Sequence, residues 1–111
     1  MGEFIVEDVH WKKGEEGLQH FILCESDGVT PRNGTGKTYE FKFWKRGAVA
    51  VKGTGALVPT DIVNGEYDYT MQVTDTDTVL DSFLGELIED PTGTKLRSNS
   101  FKVIVEDSSN L

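Results

Sequence analysis

From Asn64 to Thr74 the chain alternates without a break: Tyr67, Tyr69, Met71 and Val73 fall on one face, and Glu66, Asp68, Thr70, Gln72 and Thr74 on the other. A two-residue period of this length predicts a half-buried β-strand. The Asn64-Gly65 pair ahead of it predicts the turn that launches the strand, because both residues tolerate the positive φ of a tight turn. The pattern recurs. Residues 38–45 set Tyr39, Phe41 and Phe43 against Glu40 and Lys42, with Trp44 on the polar side, and residues 100–106 put Phe101, Val103 and Val105 on one face. Residues 3–9 read as a short edge strand and 18–25 as a strand with Phe21 and Leu23 inward. Residues 48–58 read as a bulged or edge strand, interrupted by Gly53 and Gly55 and pairing back across the Arg46-Gly47 turn, and 83–89 as a further strand.

The intervening segments carry turn chemistry: 12–17, Asp27-Gly28 and the Thr-Pro-Arg-Asn-Gly run after it, Pro59-Thr60-Asp61, 75–78 and 90–93. Seven to eight short strands with no helical period predict an all-β fold, an Ig-like antiparallel β-sandwich. The expected domain is a single sandwich over residues 1–111, with 107–111 a frayed tail. No Cys-Trp-Cys pin is present, so aromatic and aliphatic packing must hold the sheets together. Tyr67, Tyr69, Phe41, Phe21 and Val103 are the expected core, and Tyr67 is the candidate for a corner-type hydrogen bond.

A chain of 111 residues can bury one core without disulfides or a structural metal, and its single cysteine, Cys24, reads as a small buried hydrophobe. Nineteen acidic residues against eleven basic give a net charge of −8, which repels phosphate backbones and anionic lipid; neither nucleic acid nor membrane is an expected partner. The N-terminus lacks the basic start and apolar run of a secretory signal, and no stretch is long enough to span a bilayer, so synthesis in the cytoplasm is expected.

Candidate chemistry is sparse. Gly34-Thr35-Gly36-Lys37-Thr38 matches the end of a phosphate-binding loop, but Pro31 stands where the first glycine belongs and a strand follows instead of a helix. Asp75, Asp77 and Asp81 suggest hard-cation ligands, yet Val79 and Leu80 break the calcium-loop pattern, so these aspartates read as a solvated corner that stabilises local turns. His10 and His20 have no metal-ligand spacing and no converging nucleophile. No catalytic residue, cofactor or metal is expected. Trp11 and Trp44 are left as the candidate interaction surface, since the other strand aromatics occupy core-face positions. Such a surface suits either a protein contact or a carbohydrate-binding or adhesion module.

One ordered series of motifs goes further. Lys13-Gly14-Glu15, Phe21-Ile22-Leu23, Asp27-Gly28, Asn64-Gly65-Glu66-Tyr67-Asp68-Tyr69 and Asp75-Thr76-Asp77-Thr78 precede Phe83-Leu84-Gly85-Glu86 and the ending at 97–105. In this order they resemble the Ig-like N-terminal domain of upper baseplate proteins of tailed bacteriophages. Two features depart from that pattern: Asp81-Ser82 replaces the usual glycine before the aromatic, and no helical linker or receptor-binding region is expected after the sandwich. The resemblance implies a non-enzymatic structural or docking module of a phage or prophage particle, located in the virion. Its implied partners are other tail or baseplate proteins, with a homo-oligomer as a further arrangement.

Overall fold

The computed structural model describes residues 4–45, 47, 51–76, 80–90 and 96–106. Its strands are β1 (Val9–Lys12), β2 (Gly17–Ile22), β3 (Tyr39–Lys45), β4 (Gly53–Ala56), β5 (Val58–Asp61), β6 (Glu66–Met71), β7 (Leu80–Glu89), β8 (Leu96–Arg97) and β9 (Phe101–Glu106), with a 3-10 turn at Val73–Thr76. One sheet runs β1-β9-β7-β3-β4, with the two-residue β8 on β7, and the other runs β2-β6-β5. The fold is the expected Ig-like β-sandwich. Leu57 alone separates β4 from β5, so the chain changes sheets across one buried residue whose N–H still bonds the Tyr39 carbonyl at 2.9 Å.

The inward faces of β2, β3, β6 and β9 are those the alternation predicts. Phe41 lies at the centre, its ring 4.8 Å from Tyr69, 5.2 Å from Phe21, 5.4 Å from Phe43 and 6.0 Å from Phe101. Tyr67, Tyr69, Phe41, Phe21 and Val103 are all buried, as are Leu23 and Tyr39. Residues so placed carry most of the apolar burial that stabilises a domain of this size.

Four expectations are corrected. The first strand is Val9–Lys12 instead of residues 3–9, and it pairs parallel to β9, so this sheet is mixed and not purely antiparallel. The cause lies in the loop before β9: the Asn99 side-chain amide donates to the Val6 carbonyl (3.0 Å) and accepts the Val6 N–H (2.8 Å), holding the entering chain across from β9. Pro59-Thr60-Asp61 belongs to β5, an outer strand where a proline costs no ladder bond. The turn before β6 spans Ile62–Gly65, and only Gly65 takes a positive φ (70°), packed 2.7 Å from the Leu23 and Arg32 carbonyl oxygens where a Cβ would sit. Cys24 is half-buried and bridges Ile5, so it is not a core residue. The expected tail, 107–111, lies outside the described residues.

β4 explains its own glycines. A Cβ at Gly53 would run into the Asp75 carboxylate and come within 2.7 Å of Phe43 Cε1. Because Asp75 is buried and hydrogen-bonded, it has little room to yield. Gly53→Ala is expected to cost about 1–3 kcal/mol by overpacking, read as a lower urea midpoint, and an unchanged midpoint would refute this account of the edge.

Candidate interaction surface

Trp11 is not at a surface. It alternates inward from β1 and is 1% exposed, its ring 5.5 Å from Phe43 and its indole N–H donating to Gln19 Oε1 at 2.8 Å. Trp44 is half-buried on the outward face of β3, opposite Leu84 of β7. The two tryptophans therefore lie on opposite sides of their sheet, and the shared aromatic platform expected of them does not form. Sequence alternation places Trp44 correctly. For Trp11 the deciding partner, β9, is some ninety residues away in sequence.

The outward face of the β2-β6-β5 sheet carries what the tryptophans do not. Leu18 is 62% exposed, Ile22 53% and Val58 60%. Register joins them: Leu18 lies opposite Thr70, His20 opposite Asp68, and Asp68 opposite Val58, while Ile22 lies opposite Glu66. Between the apolar side chains His20 bridges two carboxylates, Nδ1 at 2.6 Å from Asp68 Oδ1 and Nε2 at 3.0 Å from Glu66 Oε1. β2, β5 and β6 contain no lysine or arginine, so apart from His20 the charged side chains of this face are acidic. The outward face of the other sheet is mixed, with Lys12 paired to Glu106 (3.1 Å) and Arg97 paired to Glu86.

The hydrogen bond that His20 donates to Asp68 raises the imidazole above its ordinary 6.5; desolvation opposes this and Glu66 adds to it. A raised folded pKa means the contribution to stability is complete below the unfolded value and disappears as pH rises through the folded one. The ring is 43% exposed and screened by solvent, which limits the contribution to under about 1 kcal/mol. His20→Ala is therefore expected to lower the urea midpoint slightly near about pH 5.5 and hardly at all near about pH 9. A larger loss at the alkaline end would mean that the neutral ring, and not the imidazolium, is the bonded form.

Beside this face lies a cleft of about 210 Å³, bounded by the segment Ile5–Asp8 on one side and Gln19, His20 and Ile22 of β2 on the other. Its described lining includes Glu7 and Asp8 and no lysine or arginine.

The buried polar groups act as structural pins. Glu89 continues the inward series Phe83, Gly85, Leu87 and is 4% exposed. Arg32 Nε (2.8 Å) and the Tyr39 hydroxyl (2.7 Å) donate to its Oε2, and Lys37 Nζ (3.2 Å) donates to its Oε1. Burial pushes this carboxyl up, but Arg32, Tyr39 and Lys37 together outweigh it and hold the group below the ordinary range. Burial, assisted by Glu89, pushes the Tyr39 phenol well up. Arg32 also donates to Glu25 Oε1 (2.6 Å) and lies over the Phe4 ring, so the loop between β2 and β3 is tied to the sandwich. Within that loop Lys37 pairs with Glu89 and Gly34 packs on Tyr67, which agrees with a connecting loop and not with a phosphate cradle.

Asp75 is buried and accepts hydrogen bonds from the Tyr69 hydroxyl (2.6 Å) and the Gln72 N–H (2.8 Å). It stabilises the local turn as expected, but from inside the core and not from a solvated corner. Asp77 and the Asp81 side chain lie outside the described residues. Tyr67 makes no corner bond: its hydroxyl is buried without a hydrogen-bond partner among the described residues, and Tyr69 and Tyr39 carry the bonds instead. His10 pairs loosely with Glu106 on the sheet opposite that of His20, so the two histidines do not converge. Among the described residues no group of three or more His, Cys, Asp or Glu is arranged to hold a metal, and no helix is long and apolar enough to cross a membrane.

No protein-family model matches this chain, and a search of curated proteins finds no match either.

Proposed function

We propose that the chain is a non-enzymatic docking module, a structural part of a phage or prophage tail or baseplate that works through protein–protein contacts. The observation that carries this reading is the outward face of the β2-β6-β5 sheet, where Leu18, Ile22 and Val58 stand exposed on a hydrogen-bonded sheet. Single exposed apolar residues are ordinary. Several on one sheet face, rimmed by charged groups, fit a surface that another protein covers. The ordered series of turn and strand motifs supplies the particle context, and the Ig-like sandwich is compatible with it, although a fold alone does not fix function. The carbohydrate reading needs Trp11 and Trp44 on one exposed face, and Trp11 is in the core.

Purified virus particles from a strain carrying the gene should contain this chain in fixed proportion to the tail proteins, as measured by quantitative mass spectrometry. A chain recovered only from the soluble fraction, with its gene among metabolic genes, would contradict the proposal.

A further inference from the structure

Among the described residues β2 is paired on one side only. Its partner is β6, and its other edge borders the cleft. Cys24 exchanges both backbone bonds with Ile5 on the cleft side (2.8 and 3.0 Å), whereas the Leu23 N–H turns the opposite way to the Gly65 carbonyl (2.9 Å). Antiparallel alternation carries this parity back along β2, so the N–H and C=O groups of Leu18, His20 and Ile22 face the cleft. Ile5 thus begins a strand position alongside β2 that the chain then abandons. Asn99 captures both backbone groups of Val6, and the segment leaves to become β1 in the other sheet. Opposite Leu18–Ile22 no described residue pairs with this edge. The His20 carbonyl takes a hydrogen bond from Gln19 Nε2 (2.8 Å), a side-chain contact of the kind that an incoming strand can replace.

An unpaired strand edge beside a cleft suits β-strand addition, in which main-chain bonds supply affinity and alternate side chains supply selectivity. Charge selects the occupant. Glu7 and Asp8 line the cleft, Glu66 and Asp68 stand on the adjoining face, and His20 is the one basic group among the described lining residues. A second copy offering its own β2 edge would bring its Glu7, Asp8, Glu66 and Asp68 toward those of the first, and β2 itself supplies no lysine or arginine to offset them. We propose that the cleft takes an extended segment of a partner protein, bearing lysine or arginine at alternate positions, as an added strand on β2 in line with Ile5. The inference rests on the docking reading and names the chemistry of its partner.

The test uses the full chain and two short capped peptides, one alternating Lys with Val and the other Glu with Val, with amide hydrogen exchange followed by NMR at low salt. The lysine peptide is expected to slow exchange at Leu18, His20 and Ile22. Gln19 and Phe21, already turned toward β6, should change little. The glutamate peptide should bind at least about tenfold more weakly, as opposite-charge selectivity at a partly exposed edge allows. His20→Pro removes a cleft-facing donor without touching the β6 ladder and should abolish the protection. Glu7→Lys, at an exposed position, should weaken the lysine peptide even if the proline variant fails to fold. Unchanged exchange at the three amides, or equal binding of both peptides, would overturn the proposal. Protection of the same amides by self-association without peptide would also overturn it, by making the occupant a second copy. If the peptides fail while the chain is found in purified particles, strand addition falls and the docking reading stands. Absence from the particles removes the docking reading itself.

Discussion

Truncation of Trp11 to alanine is expected to cost about 3–5 kcal/mol, against well under about 1 kcal/mol for Gln72→Ala at an exposed position. The large effect follows from what the ring touches. It packs edge-on to Phe43 and Phe41, at 5.5 and 6.2 Å, and parallel to Tyr69 at 6.4 Å, so its loss leaves a cavity where the two sheets meet. The Gln19 side chain would lose its indole partner as well. Urea unfolding read by circular dichroism measures both variants. Equal midpoint shifts would mean that Trp11 lies at a surface after all.

Replacing Glu89 with alanine should be of similar size, about 3–5 kcal/mol near neutral pH, because it strands the Arg32 guanidinium and the Tyr39 hydroxyl in a largely buried setting. The pH dependence has a definite sign. Glu89 is held below its ordinary range, so its contribution is present above the unfolded carboxylate value of about 4.3 and is lost as pH falls through the folded value. The gap between wild type and Glu89→Ala should therefore narrow below about pH 4. A gap that stayed constant, or widened in acid, would mean that the buried carboxyl is already protonated in the folded protein.

Strand alternation made much of this fold legible in advance. β3, β6 and β9 each bury one face, and their inward residues read directly from a two-residue period. What the period could not supply was pairing at long range. The position of β1 depends on a parallel partner and on Asn99, and no local pattern announces either one. Pro59 looked like a loop residue because its compatibility with β5 depends on that strand being outermost. Glu89 did leave a signal: Phe83, Gly85, Leu87 and Glu89 share one parity, so the period already pointed a carboxylate inward. Its cations, Arg32 and Lys37, come from a loop whose course no periodicity describes. The proposed docking face was hidden for a similar reason. Leu18, Ile22 and Val58 are apolar residues at outward positions, and only the register of three strands brings them together.

The central claim is that this outward face is covered by another protein in an assembled particle. Its most direct test is the Ile22→Asp/Val58→Asp double variant, expressed in place of the wild-type chain in a strain that produces the particle. Both side chains are exposed, so the isolated variant is expected to melt within a few degrees of wild type. Quantitative mass spectrometry of purified particles should then find the variant chain depleted about tenfold or more, the loss expected when charges are buried against an apolar contact. Incorporation of the folded variant at the wild-type level would contradict the claim.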